Sequence, residues 1–278
     1  MTAVEDPRLR LAADVVGEVQ AINGPDLPRR LLLVADSSGR RYVVKQHRSA
    51  HRFTQEVRAY TTYLTSLRDL TAELVAHDPS SRTLLLSYLP GDDCDSPTLT
   101  SAERSLSHHR AGAALRRFHD AVPQEQAELA GSYLADRMRQ WTRRADQAGI
   151  ISLDERRHLH AFALRLSSTA MQGSICHLDY QPRNWRLHRD EFFIVDFEHC
   201  RPDARVRDFA RLEHRRWTGQ PHLRDAFFAG YGRLLSDAEQ QLLRLFGAIE
   251  AVTALVRGHE TGDAELSAHG RALLTRLP

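Results

Sequence analysis

Along the first ninety residues the apolar positions fall in short runs separated by turn chemistry, a pattern that predicts strands. DVVGEVQAI (14–22) and RLLLVAD (30–36) are rich in valine and leucine and flank NGPDLP, whose Asn, Gly and Pro favour a turn. SSG then leads into RRYVVKQ, so three strands should form a meander with Lys45 on the third. In AHRFTQEVRAYTTYLTSLRD the period changes: Phe53, Val57, Tyr60, Tyr63, Leu64 and Leu67 recur at helical spacing, with Glu56 in the first half. LVAHD and TLLLSYL read as two further strands, ended by the turn PGDD.

From about residue 98 the pattern becomes helical. Thr100 with Glu103, Ser152 with Glu155 and Ser236 with Glu239 each have the spacing at which a hydroxyl and a carboxylate satisfy the free amides of a helix start. One strand-like interruption remains, ICHLDYQPRNWRL followed by EFFIVDF across the polar turn HRD, and it reads as a short hairpin. The expectation is an α+β chain of two lobes. Residues 1–91 would form an antiparallel sheet with one helix and end in a hinge at about 86–91; residues 92–278 would form a mostly helical lobe.

The 278 residues, 42% of them hydrophobic, suffice to bury a core in either one large domain or two lobes. A formal charge of only +2, with arginines interleaved among acids on helices, describes solvated faces rather than a nucleic-acid track. Cys94, Cys176 and Cys200 form no CxxC pair, which argues for a reducing compartment, and the Cys176-His177 and His199-Cys200 pairs lack zinc-ligand spacing. MTAVEDPRLR has no apolar core of a signal peptide and no run approaches a membrane span, so a cytoplasmic protein, monomer or homodimer, is expected.

Among the 38 basic residues Lys45 is the only lysine. Where codon bias lets exposed lysines drift to arginine, a lysine needed as a compact point charge cannot follow, because the guanidinium is a broad planar fork. Lys45 is therefore a candidate functional residue. A second candidate group lies in the interruption: Asp179, Asn184 five residues on, and Asp196 at the end of an apolar strand. Two of these side chains, Asn184 and Asp196, offer hard oxygens suited to Mg2+, while Asp179 stays free to accept a proton. That is a layout for phosphoryl transfer.

At these residues the chain resembles the aminoglycoside phosphotransferase and choline kinase group of small-molecule kinases, which share a two-lobed protein-kinase-like fold. The catalytic pattern HxDxxxxN is matched by HLDYQPRN, the metal segment by Asp196-Phe197-Glu198, the strand lysine and its helix glutamate by Lys45 and Glu56, a downstream DLA-like segment by Asp208-Phe209-Ala210, and the hinge by LLLSYLPG. The match spans about residues 15–215. It implies Asp179 as the base acting on an acceptor hydroxyl, Asn184 and Asp196 as Mg2+ ligands, and Lys45, oriented by Glu56, on the phosphates of ATP or GTP. It further implies Ser87 and Leu89 in the hinge beside the nucleotide, with His177 and Asp208 supporting the loop.

Two departures stand out: Leu178 occupies a place where these enzymes often have Gly, and Asn23-Gly24-Pro25 is a glycine-poor phosphate turn. The acceptor would bind between the catalytic loop and the C-terminal helices. Asp92, Asp93, Asp95, Glu198, Asp203, Glu213, Glu260, Asp263 and Glu265 could serve a polycationic antibiotic, and Trp185, Trp217 and Tyr231 could cage choline, whereas DARVRDFARLEHRRW is crowded with arginine and would repel a polycation. The expected acceptor is the hydroxyl of an antibiotic or similar natural product. A metabolic kinase for choline, homoserine or a sugar, or a nucleotide-binding pseudokinase, remains as an alternative.

Overall fold

The computed structural model describes residues 6–22, 27–121, 128–169 and 171–277. The turn Asn23-Gly24-Pro25 lies outside them. The chain opens with a helix rather than the expected strand: α1 (Pro7–Val16) is capped by the Asp6 carboxylate, with Pro7 in the first turn, and takes Asp14–Val16 out of the anticipated first strand. Leu11 and Ala12 pack α1 onto the sheet, an apolar face that outweighs the strand propensity of the valines. The first lobe thus has a second helix.

Five strands, β1 (Val19–Ile22), β2 (Leu31–Asp36), β3 (Arg41–Gln46), β4 (Leu74–Asp78) and β5 (Thr83–Ser87), form an antiparallel sheet in the order β1-β2-β3-β5-β4. Alternation along β3 and β5 places Val44 and Leu85 on the α1 side, and Leu84 and Leu86 with Phe53 on the other. Lys45 stands opposite Leu84 on that second side. There α2 (Ala50–Arg58) begins at a Ser49 cap. The predicted long helix does not continue regularly: it widens into a π-helical turn over Ala59–Tyr63 and tightens into a 3-10 turn over Leu64–Leu67. Thr61 bonds back to the Val57 carbonyl at 2.9 Å, the local competition by which threonine loosens a helix.

Beyond the hinge, β6 (Asp92–Asp93) pairs with β8 (Trp185–His188), and β8 with β9 (Glu191–Ile194), the predicted hairpin. Its two-residue turn takes φ 53 at Arg189, as a primed turn requires. A strand pair absent from the sequence reading, β7 (Gly173–Cys176) with β10 (Arg201–Ala204), braces the other side of the loop between them. Among the described residues seven helices complete this half: α3 (Ser101–Asp120), α4 (Glu128–Gln147), α5 (Leu153–Ser168), α6 (Arg207–Arg211), α7 (Pro221–Tyr231), α8 (Asp237–Thr261) and α9 (Ala264–Arg276). All three capping boxes form, at the starts of α3, α5 and α8. Trp185, Trp217 and Tyr231 belong to the apolar core with Phe209, Phe227 and Phe228, so they cage no ligand.

Gly91 ends the hinge at φ 96, and a Cβ there would lie 2.4 Å from the Leu187 carbonyl oxygen of β8. Gly91→Ala combines a backbone penalty with a backbone clash and should cost about 2 kcal/mol or more in a urea titration; an unchanged midpoint would show that the crossing is not tight.

Burial also holds histidine rings neutral. His108, edge-on to Trp185, is pushed down to about 4 by burial, and His119 and His177 move the same way for the same first cause. A depressed folded value means that the unfolded chain binds the extra protons, so these rings contribute fully above about pH 6.5 and their contribution fades as pH falls toward 4. The urea midpoint should be lower at pH 5 than at pH 7.5.

Candidate active site

Lys45 is 4% exposed and meets two carboxylates from opposite lobes. Its Nζ lies 2.6 Å from Glu56 Oε2 and 2.6 Å from Asp196 Oδ1. Burial alone would lower the lysine, but Glu56 and Asp196 outweigh it and hold the ammonium above its ordinary value. Asp196 is likewise held well below the usual carboxylate range: burial opposes this, and Lys45 and Arg30 overcome it. Glu56 also receives the Phe197 amide at 3.2 Å, so one carboxylate fixes both the lysine and the backbone after Asp196.

Two arginines and a histidine that the sequence reading did not single out complete this network. Arg30, just before β2, reaches Asp196 Oδ2 at 3.0 Å and Glu198 Oε2 at 2.9 Å; Arg52 of α2 reaches Glu198 Oε1 at 2.7 Å; His47 lies 2.7 Å from Glu56 and 3.5 Å from Glu198. With 37 arginines in the chain, nothing local marks these two as different. Glu198, considered above as an acceptor acid, is committed here.

The residues of the loop 177–184 converge from the other side. Asn184 donates from Nδ2 to the Asp179 carbonyl at 2.8 Å and to Asp179 Oδ2 at 3.0 Å, and its own carbonyl accepts the Val195 amide at 3.0 Å, which ties the loop to the strand carrying Asp196. Asp179 also receives Gln181 at 2.6 Å, Arg183 at 2.9 Å and Arg211. His177 is fully buried, accepts the Asp179 amide at Nδ1 (3.2 Å) and donates from Nε2 to the Val195 carbonyl (3.1 Å), as expected of a loop-packing residue.

Asp208, at the start of α6, accepts the amides of His177 (2.8 Å) and Leu178 (2.6 Å) and the ring of His119 (3.1 Å). Leu178 has φ 63 and Asp196 φ 69, left-handed conformations costing on the order of 1–2 kcal/mol for a non-glycine residue. The glycine that related enzymes often carry at the Leu178 position thus has a conformational reason, and Asp208 holds the loop there without it.

The hinge residues are split in role. The Ser87 amide and hydroxyl both engage Glu73, at 2.9 Å each, whereas Leu89 makes no backbone hydrogen bond among the described residues. Cys176, close to His119 and Asp208, is buried, and burial pushes its thiol far above the ordinary value, so it stays protonated in this structure. The hard-oxygen pair does fit Mg2+: with Nδ2 spent on Asp179, Asn184 has its oxygen left, and Asp196 is held ionised in a turned-back conformation.

A five-stranded antiparallel sheet joined by a hinge to a helical half, with these carboxylates at the junction, is the kinase-like class of fold. The model of the phosphotransferase enzyme family (APH) matches residues 18–246, and the chain belongs to that family. No curated protein matches the sequence. Among solved structures the chain is similar to the gentamicin complex of APH(2")-IIa (13% identity, TM-score 0.65, covering 100% of this chain and 98% of the other). It is also similar to the macrolide 2'-phosphotransferase MphH of Brachybacterium faecium (16%, 0.66, 96% and 97%). A choline/ethanolamine kinase family protein of Mesorhizobium loti is a third (17%, 0.66, 98% and 92%).

Removing Asp208 strands three donors, the buried His177 amide and His119 ring and the half-buried Leu178 amide, and a buried one costs about 1–3 kcal/mol when left unpaired. Asp208→Ala should therefore lower the urea midpoint strongly, more than Asp208→Asn, which keeps acceptor oxygen; equal effects would mean that the amides find other partners.

Proposed function

We propose that this phosphotransferase is a Mg2+-dependent kinase that moves the γ-phosphoryl group of ATP or GTP to a hydroxyl of a small molecule, a natural product or antibiotic in resistance or self-protection. The observation that carries the reading is the buried Lys45 held between Glu56 and Asp196, next to a loop in which Asn184 positions Asp179. Lys45 binds the nucleotide phosphates, and Glu56 fixes its direction. Asp179 orients the acceptor hydroxyl and takes its proton as the new bond to phosphorus forms. Asn184 and Asp196 hold Mg2+, which when bound offsets the negative charge of the phosphates. Leu89 offers its backbone to the base, with Ser87 bracing the hinge strand, and Arg30, which now covers Asp196 Oδ2, must give way to the incoming nucleotide. The division at residues 91/92 then separates a nucleotide lobe from an acceptor lobe.

Several of the acids considered for a polycation are instead occupied. Asp95 pairs with Arg216 at 2.6 Å, Glu213 with Arg224 at 2.9 Å and Glu260 with Arg144 at 2.5 Å, and Asp263 caps α9. This favours an acceptor other than an aminoglycoside. No helix among the described residues is long and apolar enough to cross a membrane.

Mass spectrometry of a hydroxylated acceptor panel incubated with Mg2+ and ATP or GTP tests the reading. Asp179→Asn should keep nucleotide affinity and lose at least ~10²-fold in turnover, the scale of a positioned base; full activity would remove Asp179 from that role. Asp196→Ala should abolish the Mg2+-dependent part of nucleotide binding in calorimetry, and an unchanged isotherm would refute its metal role.

A further inference from the structure

The face of the helical half beside Asp179 is assembled from arginines of several elements. Arg207 and Arg211 lie four apart on α6, and Arg215 follows four later in a π-helical turn over Leu212–Arg216. Each has one acidic partner, Asp203, Asp179 and Glu250 respectively. Arg137 of α4 and Arg257 of α8 join the same group: Arg137 is in electrostatic reach of Arg207 and Arg211, and Arg257 of Arg211. Neither has a carboxylate at ion-pair distance among the described residues. Arg257 lies 5.7 Å over the Trp141 ring, and Arg137 Nε is buried without a hydrogen-bond partner. Five guanidinium groups therefore face three carboxylates, and Arg183 adds a further cation at Asp179.

Burial, opposed by Glu250 and reinforced by the charges of Arg215, Arg257 and Arg137, holds the Arg211 guanidinium below its ordinary value. Crowded, partly desolvated cations gain most from an added anion, and guanidinium forks match carboxylate and phosphate in geometry.

We propose that this face is an anion subsite for the acceptor: the molecule phosphorylated by this chain carries a carboxylate or phosphate group that binds Arg211, Arg215 and Arg257 while its hydroxyl meets Asp179. The inference rests on the kinase reading above. In the free chain Arg211 satisfies itself on Asp179 Oδ1. An acceptor anion gives Arg211 another partner and frees that oxygen. Asp179 then takes the hydroxyl proton as the acceptor oxygen bonds to the γ-phosphorus, and the bond to the β-phosphate bridging oxygen breaks with its electron pair leaving on the nucleoside diphosphate. Arg211 acts as a positioning residue that couples acceptor charge to the base. A polycation meets like charge here and is rejected.

The test uses matched hydroxylated probes at constant ionic strength: glycerol against glycerol 3-phosphate, glucose against glucuronate, and gentamicin as the polycation. Phosphoryl transfer is read by mass, and the thermal unfolding midpoint is read separately with a non-hydrolysable nucleotide present. The anionic member of a pair should exceed its neutral partner about tenfold in kcat/KM, the scale of one charge-assisted hydrogen bond, and should alone raise the midpoint. The two pairs separate phosphate from carboxylate recognition. Arg257→Gln should lose the preference and Arg257→Lys should retain most of it. Transfer to neutral probes or gentamicin with no anionic preference overturns the subsite and leaves the kinase reading standing. An anion-dependent midpoint shift that Arg257→Gln abolishes, without transfer or nucleotide hydrolysis, leaves an anion site but overturns its role for an acceptor together with the kinase reading. Neither shift nor transfer with any anionic probe, while nucleotide is still hydrolysed, overturns the subsite alone.

Discussion

A single ammonium, withdrawn from water, sets the arrangement of this molecule. Lys45 is almost completely buried, and a lone charge at such depth costs several kcal/mol unless paired. Its partners come from α2 of its own lobe and from the strand end that carries Asp196, so the charge can be satisfied only when sheet, helix and second lobe are assembled together. Arg30, Arg52 and His47 extend the pairing through Glu198. The network pins the junction between the two halves where a nucleotide is proposed to bind.

The loop that carries Asp179 and Asn184 obeys a second constraint, that of backbone groups. Its path through left-handed conformations at Leu178 and Asp196 is unfavourable for residues bearing a Cβ, and it persists because Asp208, Glu56 and the Val195 backbone hold the loop's amides, carbonyl oxygens and His177 ring. Strain is offset by hydrogen bonds made in a dry interior, where an unpaired donor would cost more than a paired one. Asp179 and Asn184 are thereby presented from a braced frame, while Asp179's partner Arg183 sits half in solvent and its partner Arg211 is mostly covered.

Charge distribution sets the character of the helical half. Five of the nine acids that composition offers to a cationic ligand, Asp95, Glu198, Asp203, Glu213 and Glu260, are bound by arginines, and arginines gather on α4, α6 and α8 beside the loop. A net formal charge of +2 concealed this, because total charge carries no information about where the unpaired part accumulates.

The sequence by itself determined the strands of the first sheet, the three capped helix starts and the hairpin, and it singled out Lys45, Glu56, Asp179, Asn184, Asp196 and Asp208 as candidates, because period, capping chemistry and motif spacing are local in the chain. It misread the segment before β1, where packing of Leu11 and Ala12 overrode valine propensity, and the far end of α2, where threonines loosened the helix. Only the tertiary structure decided which of 37 arginines matter, that Glu198 belongs to the lysine network, and that Trp185, Trp217 and Tyr231 are core. Those facts depend on contacts between residues as much as 168 positions apart, as for Arg30 and Glu198, and such contacts exist only once the chain has brought its charges into one low-dielectric place.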